Sequence, residues 1–187
     1  MRRRSPGPTI LLPACIALGL AAVSSAEEPA RGPEIRVPRA SAPISVDGDL
    51  SEAGWTGAAR VDGWYETNPG ENVAPKVRSV GFLAYDDRYL YAGFEFSDPD
   101  PSSIRAPYSD RDAISESIDY GGIVLDSRFD GRTAVLFLAT PRGIQYDAIQ
   151  DDAAGGEDPS PDFHWDSAGR ITEDGWVLEI RIPFSSL

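Results

Sequence analysis

The chain has 187 residues, of which 41% are hydrophobic and 10% aromatic, which suffices for one folded core or two small ones and excludes a disordered chain. Its net charge of -13 argues against binding to nucleic-acid phosphates or to anionic lipid, which most of its surface would repel. The 18 glycines and 16 prolines are typical of many turns between short strands rather than of long helices.

The first 26 residues have the pattern of a secretory signal peptide. Three arginines precede an apolar run over residues 9–23, and small residues close it at 24–26. The run is short for a transmembrane span. Lipid attachment at Cys15 and twin-arginine export are the rival interpretations. Cys15 is the only cysteine, so after removal of the leader the chain can form no disulfide, thiol nucleophile or thiolate metal site.

The region after the leader begins with a Pro-, Arg- and Ala-rich lead over residues 27–42, which predicts a flexible segment with a first strand near Ile35 and Val37. A module is expected over residues 43–187. Its first part predicts a strand, an Asp-Gly turn and one helical turn capped by Asp49, with Trp55 aimed inward.

Alternating apolar residues predict antiparallel strands along the rest of the chain. In chain order, these strands are expected within 75–85, 88–98, 118–126, 132–140, 144–150, 163–172 and 176–182. Long polar loops separate some of them, at 98–117 and 151–162. The predicted fold class is all-β, an antiparallel β-sandwich of the immunoglobulin-like or jelly-roll-like kind with eight or nine strands. Because the last of these strands has an interior pattern, we expect the sequence to be C-terminally truncated at Leu187.

Four segments in this order resemble the family 9 carbohydrate-binding modules, and more closely the module of that type at the N-terminus of large bacterial outer-membrane proteins. They are VDGDLSEAGW at 46–55, YDDRYLY at 85–91, DYGGIVLD at 119–126 and GWVLEIRIPF at 175–184. The resemblance implies an exported, non-catalytic β-sandwich, located in the periplasm or at the outer membrane or cell surface of a Gram-negative bacterium. Its partners would be a polysaccharide or oligosaccharide and, in the outer-membrane branch, a β-barrel region further along the full-length protein.

Family members that hold sugar clamp it between two tryptophans. One of these positions falls near Glu116, where this sequence has no tryptophan, and the other lies beyond Leu187. Other aromatic and polar side chains in or beside loops are therefore the candidate sugar contacts. They are Trp64, Tyr65, Tyr108, Arg111, Asp112 and Trp165. Trp55 and Trp176 occupy alternating apolar positions and are expected in the core.

Calcium is the metal that the sequence favours. Asp98 and Asp100, or the acidic loop at 151–162, offer the carboxylate oxygens that Ca²⁺ prefers. No catalytic residues are predicted, because the carboxylate pairs lie in solvated loops, the chain lacks Gly-x-Ser-x-Gly, and His164 is the single histidine.

Three functions remain open at this stage. The first is a non-catalytic module that holds polysaccharide or oligosaccharide for degradation or uptake. The alternative is a structural module that packs beside a downstream outer-membrane barrel without binding sugar. Part of a glycoside hydrolase is the least favoured, since no convergent catalytic residues are seen.

Overall fold

The computed structural model describes residues 32–115 and 117–187, so the predicted signal peptide and the position near Glu116 lie outside the described residues. The chain divides into two units, Met1–Glu34 and Ile35–Leu187, and the second contains every element discussed below. The predicted module boundary at residue 43 stays a prediction. No described helix is long and apolar enough to span a membrane.

Short strands dominate the described residues, and the only helices among them are three 3₁₀ turns, at Ala53–Trp55, Pro101–Ser103 and Phe184–Ser186. The strands are β1 Ala59–Val61, β2 Ser79–Tyr85, β3 Tyr89–Ser97, β4 Gly121–Leu125, β5 Thr133–Ala139, β6 Gln145–Asp151, β7 Gly156–Asp158, β8 Asp166–Thr172 and β9 Gly175–Pro183. Each predicted run after residue 75 overlaps one of them, and β6 and β9 extend one residue beyond the predicted bounds at one or both ends. The short strands β1 and β7 were not predicted, since three residues carry too little alternation to be recognised.

The nine strands form two antiparallel sheets. One has five strands in the order β1-β2-β3-β9-β8, and the other has four in the order β4-β5-β6-β7. This confirms the predicted all-β sandwich.

The core lies between the two sheets and follows the predicted alternation. Phe94 on β3 lies opposite Leu178 on β9, and the same face of β9 carries Ile180 and Ile182. These side chains pack with Phe137 and Ala139 of the four-stranded sheet. Trp176 and Trp55 are each 7% exposed, which confirms that both are core residues.

The outer face of the five-stranded sheet is also covered, although the alternating pattern of β3 predicts a strand with one buried face. Tyr91 on that face is only 4% exposed, because the segment before β1 packs over it with Ile44 and Trp55. Gly93 allows this close approach. A Cβ at Gly93 would lie 2.6 Å from Leu50 Cδ2 and 3.1 Å from the Trp55 ring.

A buried carboxylate anchors this covering segment. Glu179 on β9 is fully buried, and its Oε2 accepts hydrogen bonds from the backbone N–H groups of Asp47, Gly48 and Asp49 at 2.8, 2.7 and 3.3 Å. Its Oε1 accepts one from Trp55 Nε1 at 2.9 Å. The first and last of the four recognised segments are thus joined through one side chain.

Two local predictions in this segment are wrong. Residues 44–46 and 35–37 form no strand, because the chain here runs toward Glu179 and has only an isolated bridge, between Arg39 and Tyr85. Asp49 does not cap the 3₁₀ turn either. Its Oδ1 accepts the Ser51 N–H, and Glu52 occupies the N-cap position without a side-chain hydrogen bond.

Candidate functional site

A second buried carboxylate organises one side of the sandwich. Asp147 on β6 is 1% exposed and accepts hydrogen bonds from Trp165 Nε1 at 3.0 Å and from the Phe163 backbone N–H at 2.8 Å. It also forms an ion pair with Arg111. Burial of a carboxylate is costly unless it is paired and hydrogen-bonded, so these three donors are what make the position tolerable.

Arg111 is braced from several directions. Its Nη1 donates to Gln145 Oε1 at 2.6 Å and its Nη2 to the Phe163 carbonyl at 2.9 Å. Asp112 ties the same loop to β6, since its N–H donates to the Gln145 carbonyl and its Oδ1 accepts the Asp147 N–H. The loop therefore hydrogen-bonds to the first half of β6, whereas β7 pairs with the second half of that strand. The predicted contacts Arg111 and Asp112 thus have polar groups that are already engaged within the protein.

An open cleft of about 590 Å³ lies beside Arg111. Its walls come from the loop before β4, the β5–β6 turn and the first residues of β8, and they are mostly polar. Its lining residues include Ser109, Arg111, Gln145, Trp165, Asp166 and Arg181. The charges here are neutralised: Arg181 donates to Asp166 Oδ2 at 2.9 and 2.8 Å, and this hydrogen bonding raises the pKa of the guanidinium.

A second concavity, the Tyr108 pocket, adjoins the cleft along the same segments. It has a volume of about 390 Å³ and is lined by Tyr108, Pro141, Arg142, Gly169, Arg170 and Ile171. Tyr108 is 83% exposed. The Arg142 guanidinium lies 4.5 Å from the centre of its ring, and Arg142 Nη1 donates to the Tyr108 hydroxyl at 3.2 Å.

Two glycines build the floor of this region. Gly143, with φ of +73°, lets the β5–β6 turn close, and a Cβ there would lie 3.1 Å from the Gly169 nitrogen. A Cβ on Gly169 would lie 2.7 Å from the Pro141 carbonyl carbon and oxygen. Direct backbone contact between the turn and β8 therefore places Arg142 and Arg170 on one pocket.

Two of the predicted aromatic contacts, Trp64 and Tyr65, lie away from this region. Trp64 and Tyr65 follow β1 and are 36% and 67% exposed, with the Trp64 ring close to Gly81 on β2. Because β1 and β8 are opposite edges of the five-stranded sheet, these two residues are separated from the Tyr108 pocket.

Trp165 reaches the cleft only with part of its surface. It is 4% exposed and packs edge-on against Phe137, with ring centres 5.5 Å apart. Its predicted role as a sugar-stacking residue therefore does not fit its burial. The loop context suggested exposure, but the indole N–H pairs with Asp147, which lies 18 residues earlier.

The predicted calcium ligands act as turn residues. Asp98 Oδ1 accepts the Asp100 N–H at 2.7 Å, and Asp100 Oδ1 accepts the Ser102 hydroxyl at 2.5 Å. Within residues 32–115 and 117–187, no group of three or more His, Cys, Asp or Glu side chains could hold a metal ion. Calcium binding stays a prediction.

Solved structures with a similar fold include two complexes of a family 9 carbohydrate-binding module from Caldicellulosiruptor kristjanssonii. One is in complex with cellotriose and matches at a TM-score of 0.51 and 18% identity, over 80% of this chain and 67% of that chain. The fold is that of a family 9 carbohydrate-binding module. The other structure, in complex with glucose, matches at a TM-score of 0.51 and 17% identity, over 80% and 69% of the two chains. No family model and no curated protein matches the sequence.

Sequence reasoning missed the two arginines that accompany Tyr108 on this family 9-like sandwich. In the sequence, Arg142 belongs only to the turn at 140–143, and Arg170 is one residue of a predicted strand. One feature of the sequence could have indicated them: in this acidic chain, each of the two arginines is next to a glycine. The pairing itself depends on the backbone contact at Gly169, which no local pattern reveals.

Proposed function

We propose that this chain is a non-catalytic carbohydrate-binding module whose ligand contacts the Tyr108 pocket and the adjoining cleft. The observation that carries the proposal is the shared fold with modules that were solved with cellotriose and glucose. Function depends on the site as well as the fold, so the side chains must also suit a sugar.

The side chains of the candidate site suit a pyranose. Tyr108 presents an exposed ring against which the C–H face of a sugar can pack, as aromatic side chains combine apolar area with a polar tip. Gln145, Ser167 and the paired Asp166 and Arg181 line the cleft and can bond hydroxyl groups. Because Asp166 and Arg181 are paired with each other, a neutral oligosaccharide can cover them without burying an isolated charge.

Binding of cellotriose, measured by isothermal titration calorimetry, tests this proposal. Tyr108→Ala is expected to lower the affinity at least tenfold, about 1.4 kcal/mol. Phe129→Ala is the matched control, since Phe129 is an aromatic residue that is 84% exposed on the β4–β5 turn. A folded protein that binds neither cellotriose nor any glycan on an array would refute the proposal.

That refuting result would favour the second candidate, a structural module that packs beside a downstream outer-membrane barrel. The burial of three of the four tryptophans supports this alternative, because Trp55, Trp165 and Trp176 are at most 7% exposed and cannot clamp a sugar.

We further propose that the chain is exported and serves polysaccharide degradation or uptake, with its location at the periplasm or the outer surface. The support is the arginine-rich, apolar and small-residue pattern of residues 1–26. Mass spectrometry of the protein recovered from fractionated cells should give a chain that begins at Glu27. Recovery of the uncleaved chain from the cytosol would contradict export.

A further inference from the structure

We propose that the Tyr108 pocket selects acidic sugars, with Arg142 and Arg170 binding the carboxylate of a uronic acid while Tyr108 packs against its ring. This inference rests on the proposed carbohydrate binding and specifies the class of ligand. It assigns a role to two arginines that the sequence patterns did not single out.

The charge of the pocket is opposite to that of the chain. The sequence has 30 acidic and 17 basic residues, yet the pocket is lined by two arginines and by no aspartate or glutamate. An anionic ligand would be repelled by most of this surface and attracted here, since a concave site focuses the field of its own charges. The pocket is therefore suited to a negatively charged group.

Arg142 is held in place without a carboxylate. Its Nε donates to the Ala106 carbonyl at 2.6 Å and its Nη1 to the Tyr108 hydroxyl at 3.2 Å. Within the described part of the chain, Arg142 forms no ion pair with an acidic side chain, and its side-chain hydrogen bonds come from Nε and Nη1, which leaves Nη2 without an acceptor. A fixed guanidinium with free N–H groups is pre-organised for bidentate binding of a carboxylate.

Arg170 can change its partner at little cost. Its Nε donates to the Gly48 carbonyl at 2.9 Å, and its Nη2 lies 3.1 Å from Asp49 Oδ2. The side chains of Arg170 and Asp49 are 51% and 45% exposed, and ion pairs in such settings contribute little to stability. A ligand carboxylate can therefore share or replace the contact with Asp49.

The rest of the pocket fits a sugar ring rather than a bare anion. One face of the Tyr108 ring is occupied by the Arg142 guanidinium, and the residue is nevertheless 83% exposed, which leaves area for a ligand. Pro141 and Ile171 add apolar wall. Aromatic and apolar surface beside two guanidinium groups matches the C–H face and the carboxylate of a uronic acid.

The test compares two ligands of one backbone geometry. Cello-oligosaccharides and β-1,4-linked oligoglucuronates of equal length differ only in oxidation at C6, and calorimetry measures both against the same protein. We expect the oligoglucuronate to bind at least tenfold more tightly. Arg142→Gln should lower the affinity for the oligoglucuronate at least tenfold more than the affinity for the cello-oligosaccharide, so that the preference for the acidic ligand disappears. Arg170→Gln should show a smaller loss of the same kind.

Arg128→Gln serves as the matched control, because Arg128 is an exposed arginine on the β4–β5 turn, away from the pocket. Melting curves confirm that each variant is folded. Equal affinity for the two ligands, or an Arg142→Gln variant that still prefers the oligoglucuronate, would overturn this inference and leave carbohydrate binding intact. A sulfated cello-oligosaccharide that binds more tightly than the oligoglucuronate would also overturn the assignment to a carboxylate. Absence of binding to both ligands and to every glycan on an array would instead refute the proposed function, and this inference with it.

Discussion

Replacement of Asp147 by asparagine tests the hydrogen-bond network beneath the candidate site. Asparagine keeps the size of the side chain and removes its charge. In the native protein the carboxylate accepts hydrogen bonds from Trp165 and Phe163 and pairs with Arg111. The amide group can accept with one oxygen only, so at least one of these donors is left facing an NH₂ group.

The expected loss of stability is about 2–4 kcal/mol. A buried donor without an acceptor costs about 1–3 kcal/mol. The unpaired Arg111 adds less than a fully buried charge would, because 35% of its side chain is exposed to water. For a domain of this size, the melting temperature should fall by roughly 5–12 °C.

Urea denaturation of Asp147→Asn, Arg111→Met and the double variant measures the coupling between the two residues. We expect a coupling energy of about 1 kcal/mol or more, since removal of both partners leaves no unpaired charge. Asp152→Asn, an exposed acid on the following turn, should change stability by less than about 0.5 kcal/mol. Additive effects of the two substitutions would show that Asp147 and Arg111 do not stabilise each other.

Two further predictions concern the elements that hold the sandwich together. Burial raises the pKa of Glu179 above its ordinary value of 4.5, although the donors from Asp47, Trp55 and Gly48 act in the opposite direction. Its contribution to stability is therefore present below that ordinary value and is lost as the pH rises through the folded pKa. The urea midpoint of the wild type, relative to that of Glu179→Gln, should fall as the pH rises above 4.5. A rise would show that the donors outweigh burial. Gly169→Ala should destabilise the protein by about 1–3 kcal/mol, because its Cβ would lie 2.7 Å from Pro141. Gly156→Ala is the control and should be nearly neutral in the same urea assay, since no atom lies within 4 Å of its Cβ position. Equal urea midpoints for the two variants would contradict the tight contact at Gly169.

The sandwich could be predicted because its central strands carry a clear period of two. Leu178, Ile180 and Ile182 on β9 alternate with polar or exposed positions, and all three are fully buried. Turn residues such as Asp86 and Asp87 marked where the strands reverse. Local pattern and turn chemistry therefore determined most of the architecture.

The second covered face and the full set of site residues could not be predicted, because both depend on contacts between distant segments. A glycine within a strand, such as Gly93, is compatible with the close approach of another segment. Nothing in the sequence identifies Trp55 as the residue that packs there. Trp165 was placed among loop residues because its partner Asp147 belongs to another strand. The Tyr108 pocket likewise forms only when the β5–β6 turn packs on β8.

The most direct test of the central claim is a nitrogen-15 NMR titration of the folded chain with cello-oligosaccharide and with oligoglucuronate. If the Tyr108 pocket and the adjoining cleft bind carbohydrate, backbone shifts will move together at Tyr108, Arg142 and Gly143 and along β8 near Gly169. Shifts confined to the region of Trp64 and Tyr65, or a spectrum that no glycan changes, would contradict the account.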